Sequence, residues 1–165
     1  MKIDRVEVRI IDQPTRVLRT MGRGPLDTGA AGSLHGKPIF VKLYAEGLTA
    51  FGQVRPPTPW SGESTHSVFS AVSEHYAPAL LGESIFDTER IWDKLEAVLP
   101  DNPIARAVID YALHDAMGKA LNVPAYQLLG GIVQLDLPLE WSVGMGSTEQ
   151  MVAESLRAVE QFGLR

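Results

Sequence analysis

Cysteine is missing from this 165-residue chain, which excludes disulfides, thiolate metal sites and cysteine nucleophiles while leaving the redox compartment open. Long runs of one charge are missing too. The 15 basic and 20 acidic residues give a formal net charge of −5, and without a basic stripe the electrostatic footprint of a nucleic-acid binder is absent. No segment approaches the roughly 18 consecutive apolar residues of a membrane span. The N-terminus, MKIDRVEVRI, alternates charged and apolar residues where a signal peptide needs an unbroken apolar stretch. The expectation is a soluble, cytoplasmic protein with neither nucleic acid nor membrane as a partner. Metal-ligand spacing is also lacking, because His35, His66, His75 and His114 never form a pattern such as His-x-x-x-His, and zinc needs three or more converging protein ligands. Surface and packing roles are expected for them, with His35, placed in a long loop, the one that could reach a substrate.

What is present suits a globular domain. Hydrophobic residues make up 45% of the chain, and roughly 100 to 200 residues suffice to bury a core without staples. Val6, Val8 and Ile10 alternate with Glu7 and Arg9 at the period of a half-buried strand. Residues 19–37 are rich in glycine and small side chains, so a mobile loop is expected there. Residues 39–45 and 48–54 are strand-like, and Glu46-Gly47 between them predicts a tight hairpin. A second loop, residues 55–63, is stiffened by Pro56, Pro57 and Pro59.

Three helices should follow. Ser64 or Thr65 caps the first, with Val68, Phe69, Val72, Tyr76 and Leu80 at helical spacing. Asp87 caps the second, which carries Ile91, Trp92, Leu95 and Val98, and Asn102-Pro103 starts the third, running to about Leu121. Beyond Gly130-Gly131, residues 137–143 read as a buried strand, and Ser147 with Gln150 forms a capping box for a helix that Gly163 stops. One βα unit cannot cover both faces of its strand, so the C-terminal part is expected to open a larger α/β structure.

Two carboxylates invite a catalytic reading, but Asp110 and Asp115 are five residues apart, which leaves them about 140° apart around a helix. They are therefore expected to be structural, with Asp115 and Lys119 as an i, i+4 pair. Gly22, Gly24, Gly29 and Gly32 do not carry a strand into a helix, so a flexible lid is expected there rather than a phosphate cradle.

The run ARAVIDYALHDAMGKALNVPAYQLLGG, residues 105–131, closely resembles the signature of the enolase superfamily in its mandelate racemase and muconate cycloisomerase (muconate lactonizing enzyme) branch. The order of elements follows the family over essentially the whole chain. The resemblance implies an α+β capping domain over residues 1–131, a three-stranded antiparallel sheet with a helical bundle, followed at residues 132–165 by the first βα unit of a (β/α) TIM-type barrel. It implies an isomerase or lyase that removes a proton alpha to a carboxylate and holds the enediolate on Mg²⁺. It also implies a small carboxylate substrate and assembly as a homo-oligomer.

In such enzymes the two capping-domain loops shape the substrate pocket. The candidate substrate-binding residues are therefore Arg19, Met21 and His35 in the first loop and Arg55, Trp60 and Ser61 in the second. The run PWSGES, residues 59–64, is most similar to cycloisomerases, where an aromatic at the place of Trp60 faces the substrate. Arg19, Arg23 and Arg55 suit a carboxylate fork, although loop arginines are commonly solvated. The family's acid/base lysines lie in a Lys-x-Lys on the second barrel strand, and its metal carboxylates end the third, fourth and fifth strands. That second strand is expected to begin near Leu164, and no Lys-x-Lys occurs in the sequence. No catalytic residue and no metal ligand is carried over, and the chain alone is expected to be inactive. Gln53 stands where many relatives have Glu, Glu46-Gly47 replaces a commoner Asp-Gly, and residues 132–135 lack the usual basic residues. Another expectation, from a different class, is a half-protein that acts as a binding module or completes its barrel with a partner chain.

Overall fold

The computed structural model describes residues 1–12, 18–21, 24–27, 37–56 and 61–164. Backbone contacts divide the chain into two compact units, Met1–Gln13 with Leu34–Gly131, and Pro14–Ser33 with Ile132–Arg165. The strands in chain order are β1 (Ile3–Ile10), β2 (Leu18–Met21), β3 (Gly24–Asp27), β4 (Ile39–Ala45) and β5 (Leu48–Val54). The helices are α1 (Thr65–Ser70), α2 (Ala77–Leu80), α3 (Thr88–Val98), α4 (Pro103–Leu121), α5 (Ala125–Leu128) and α6 (Thr148–Phe162), with a π-helical segment, Ala71–Tyr76, joining α1 to α2.

In the first unit, β1, β4 and β5 form the expected antiparallel sheet, with β4 in the middle. Period-two alternation decides which side chains meet the helices, since Ile39, Val41, Leu43 and Ala45 of β4 are fully buried. The intervening Lys42 and Tyr44 lie on the other face, where the Arg5 guanidinium sits 3.8 Å from the Tyr44 ring centroid and the Lys42 ammonium 4.7 Å from it. These cations cover aromatic surface that would otherwise be bare. At the hairpin, Ala45 pairs with Leu48, and both Glu46 (φ 48°) and Gly47 (φ 87°) take positive φ, as a type I′ turn requires. Glutamate is costly in that conformation. Two hydrogen bonds offset the cost, one from Glu46 N–H to Asp4 Oδ2 (2.8 Å) and one from Lys2 N–H to Glu46 Oε1 (2.9 Å).

The expected first helix divides into α1, the π-helical segment and α2. Pro78 has no N–H for the carbonyl four residues back, and the Ala77 N–H instead reaches the Val72 carbonyl in an i→i+5 register. Tyr76, fully buried, donates its hydroxyl to the Leu99 carbonyl at 2.8 Å, and burial pushes that hydroxyl's pKa up. Asp87 and Asn102 occupy the N-cap positions of α3 and α4, but neither side chain makes a capping bond. Asn102 instead gives its amide to the Pro100 carbonyl, 2.7 Å away. Near the N-terminus of β1, Gly82 N–H donates to the Ile3 carbonyl and Ile3 N–H to the Glu83 carbonyl, both at 2.8 Å. The Glu83 side chain is buried against Arg90 and Lys94. The hydrogen bond from Lys94 holds its carboxyl below the usual carboxylate range, with the Arg90 charge adding to this and burial opposing it.

Helix α4 packs on β5 at unusually short range. A Cβ on Gly52 would lie 2.1 Å from the Val108 carbonyl oxygen and 3.0 Å from the Ala112 nitrogen, so only a residue without a side chain lets the two backbones meet. The α4 stripe facing the core, Ala105, Val108, Ile109, Ala112, Leu113 and Ala116, is fully buried at i, i+3, i+4 spacing. β5 is an edge strand with outward-facing backbone groups, and α4 supplies their partners. Asp115 Oδ2 accepts from Phe51 N–H at 2.8 Å, and Lys119 Nζ donates to the Thr49 carbonyl at 3.0 Å and to Asp115 Oδ2 at 2.7 Å. The helix ends in a Schellman motif. Asn122 takes the left-handed conformation (φ 55°), and Val123 N–H reaches the Gly118 carbonyl at 2.9 Å.

In the second unit, β2 and β3 form an antiparallel hairpin with Met21 opposite Gly24, which corrects the expectation of an irregular loop from residue 19 onward. Glycine and Pro25 conceal the strand pattern, yet both are tolerated in a two-stranded ribbon made entirely of edges. Residues 28–36 lie outside the described residues. The strand expected at residues 137–143 does not form either, and Leu137 and Leu139 are 75% and 74% exposed. An apolar run becomes a strand only when a neighbour takes its backbone hydrogen bonds, and no ladder partner for it occurs among the described residues. Helix α6 starts and stops as read, with the Ser147–Gln150 capping box and Gly163 in the left-handed conformation.

Gly52→Ala is expected to cost at least the upper end of the roughly 1–3 kcal/mol typical of overpacking, measured as a fall in the urea unfolding midpoint. An unchanged midpoint would contradict the close approach. Asp115→Asn leaves Lys119 without its ion pair and weakens the Phe51 bond, so a loss of about 1–2 kcal/mol is expected after discounting for partial exposure. Its check is the same titration repeated in 1 M salt, where the difference from the parent chain should shrink.

Candidate functional site

The residues expected to touch substrate fall into three groups. Arg19 and Met21 are on β2, paired with Leu26 and Gly24 respectively, and so belong to the second unit. Arg55 is half-buried immediately after β5, and Ser61 is half-buried just ahead of α1, both in the first unit. His35 and Trp60 lie outside the described residues.

The loop ends in the first unit are held by polar contacts. At the first loop, Ile11 N–H donates to the Pro38 carbonyl at 2.9 Å, and Lys37 Nζ is 3.3 Å from Asp12 Oδ2. Thr65, buried at the start of α1, donates its hydroxyl to the Lys37 carbonyl at 3.0 Å. At the second loop, Glu63 is buried although charged, and its carboxylate accepts from Ile104 N–H at 2.8 Å and from Ala105 N–H at 3.2 Å. Those are first-turn amides of α4, whose intrahelical partners do not exist and whose dipole favours a negative charge. The role expected of Asn102 thus passes to Glu63, 41 residues before Ile104. Sequence reading missed Glu63, and it offered Thr65 only as an alternative to Ser64 for capping α1, a position that Ser64 takes. A cap contributed from elsewhere in the chain leaves no local pattern, whereas the Ser64–Ser67 capping box beside it does.

The two aspartates of the signature helix do not form one site. Asp115 is engaged with Lys119 and β5 at the edge of a cleft of about 370 Å³ at the C-terminal end of α4. Asp110 pairs with His114 (Oδ1 to Nδ1, 3.2 Å) and faces a different cleft, with Trp92 and Arg106. Their contacts lie in different places, in line with their angular separation.

In the second unit, the Thr20 carbonyl on β2 accepts from Met145 N–H at 3.0 Å. Glu154 of α6 receives the Trp141 indole N–H at 2.9 Å and the Gly144 N–H at 3.2 Å, while the Trp141 ring stacks on Phe162 with centroids 5.3 Å apart. One carboxylate thereby ties the extended segment ahead of α6 to the helix itself. Among the described residues, no group of three or more His, Asp or Glu side chains is arranged to hold a metal ion, and no helix is long and apolar enough to cross a membrane.

Comparison with known proteins agrees with this architecture. The sequence profile of the mandelate racemase / muconate lactonizing enzyme N-terminal domain matches residues 7–130. Chloromuconate cycloisomerase of Cupriavidus pinatubonensis is 31% identical over 154 residues, covering 92% of this chain and 40% of that protein. N-succinyl-L-Arg/Lys racemase of Bacillus cereus is 33% identical over 124 residues, covering 74% of this chain and 34% of that protein. The crystal structure of the Bacillus cereus racemase superposes with a TM-score of 0.87 at 29% identity, over 98% of this chain and 42% of that chain. The chain spans between about a third and about two fifths of the length of these relatives. With the profile covering most of its length and the sheet, hairpin and signature helix all in family order, the chain belongs to the mandelate racemase and muconate lactonizing enzyme branch of the enolase superfamily, as its N-terminal part.

Proposed function

We propose that residues 1–131 are the capping domain, and residues 132–165 the opening of the barrel, of an isomerase that abstracts a proton alpha to a carboxylate and stabilises the enediolate on Mg²⁺. The observation that carries this reading is the hydrogen bond between Thr20 on β2 and Met145. The first-loop hairpin and residues 132–165 fall in the same compact unit, as a loop that closes over a barrel mouth would require. Its relatives include a chloromuconate cycloisomerase and an N-succinyl-L-Arg/Lys racemase. A related structure from Roseovarius nubinhibens, 27% identical, is complexed with magnesium.

The described residues do not fit the metal, since they present no cluster of three ligands, and no chemical step is assigned to them. Their contribution is shape and selection. On this reading the candidate substrate contacts are Arg19, Met21, His35, Arg55, Trp60 and Ser61, and an arginine among them supplies a fork for a carboxylate. The substrate is a small carboxylate, the assembly is a homo-oligomer and the compartment is the cytoplasm.

The test is deuterium incorporation at Cα in D₂O with Mg²⁺ and N-succinyl-L-arginine, followed by NMR. The purified 165-residue chain is expected to show none. Fused to the part of the Bacillus cereus racemase that follows its matched region, it is expected to support exchange with a substrate order different from that racemase's own. Exchange by the chain alone, or a folded fusion with an unaltered substrate order, would overturn the proposal.

A further inference from the structure

We propose that Glu63 and Thr65 are positioning residues that couple the two loops, so that the root of one cannot move without the other. The inference deepens the capping-loop reading and rests on it. Glu63, Thr65 and Glu83 are the buried polar residues among those described, and Glu83 has its own role beside β1. The other two sit within one five-residue segment that touches both loop roots. Thr65 holds the return end of the first loop through the Lys37 carbonyl (3.0 Å), and that end is joined to its outgoing end by Lys37–Asp12 (3.3 Å) and Ile11–Pro38 (2.9 Å). Glu63 closes the second loop and is bonded to the first turn of α4 at 2.8 and 3.2 Å.

Between them, Ser64 caps α1 reciprocally with Ser67, which fixes the backbone from Glu63 to Thr65. Ser61, a candidate substrate contact, brackets Glu63 with its hydroxyl, accepting from Glu63 N–H and donating to the Glu63 carbonyl, both at 3.4 Å. A local side chain at position 102 would have sufficed to cap α4. Using Glu63 instead makes the most deeply packed helix of the unit the fixed point for both loop roots, and through Ser61 sets where the second loop presents its hydroxyl.

The experiment is residue-resolved amide hydrogen exchange on the 165-residue chain, in the parent and in Thr65→Val, Thr65→Ser and Glu63→Gln. Thr65→Val keeps the side-chain shape and removes the hydroxyl. It is expected to speed exchange at Ile11, and also at Ile104 and Ala105, whose amides are bonded to Glu63 and not to Thr65, by about fivefold, the size expected for one lost hydrogen bond. Thr65→Ser, which keeps the hydroxyl, should restore all three amides, and Glu63→Gln should speed Ile11 as well as Ile104 and Ala105. The Leu43 amide in β4 should stay unchanged throughout. Effects confined to the mutated root, failure of serine to restore protection, or a parallel rise at Leu43 would each overturn the coupling. No substrate enters the measurement, so its failure is distinct from failure of the proposed reaction.

Discussion

The carbonyl oxygen of Val108 occupies space that a side chain on residue 52 would need, and the first unit is organised around that approach of α4 to β5. Close backbone packing brings the Asp115 carboxylate and the Lys119 ammonium to the open edge of β5, where they satisfy Phe51 N–H and the Thr49 carbonyl. An unpaired strand edge is a site for unwanted pairing. Here the helix that fills the core also closes the edge, through the aspartate and lysine of the family signature. The same helix receives the Glu63 carboxylate at its N-terminus and turns out through Asn122 at its C-terminus, so its two ends are determined as firmly as its middle.

From that joint the functional consequences run outward to the loops. Both loops leave and rejoin the sheet and helix layer at points held by buried or paired polar groups. The hairpin of the first loop, in turn, hydrogen-bonds within the unit that contains α6. On the proposed reading, substrate selection depends on where the loops are held, and well-anchored loop roots serve that end. The carboxylates that are most conspicuous in the sequence, Asp110 and Asp115, engage His114 and Lys119 of their own helix, while the residues proposed to meet substrate lie on β2 and in the loops.

Features whose cause lies within a few residues were legible in the sequence. The β4–β5 hairpin follows from two strand-like runs and a Glu-Gly turn, α4 from its Pro103 start, and α6 from its capping box and terminal glycine. Features with a distant cause were not. Glu63 caps a helix that starts 40 residues later in the chain, and the apolar run at residues 137–143 looked like a strand because composition reports burial without reporting a ladder partner. The β2–β3 hairpin was hidden by glycine and proline, which mark irregular structure everywhere except in short ribbons. Of the candidate site, the residue types could be named from the family resemblance, but their mutual geometry depends on loops whose form is not encoded by local pattern.

The most direct test of the α4–β5 joint is the exchange rate of the Phe51 amide. As an outward-facing amide on an edge strand it would exchange freely if β5 were open to solvent. Bonded to Asp115 beneath α4, it should instead exchange about as slowly as the Leu43 amide in the central strand. Rapid exchange at Phe51 alongside a protected Leu43 would contradict the account, because it would mean that the helix covers the sheet without closing its edge.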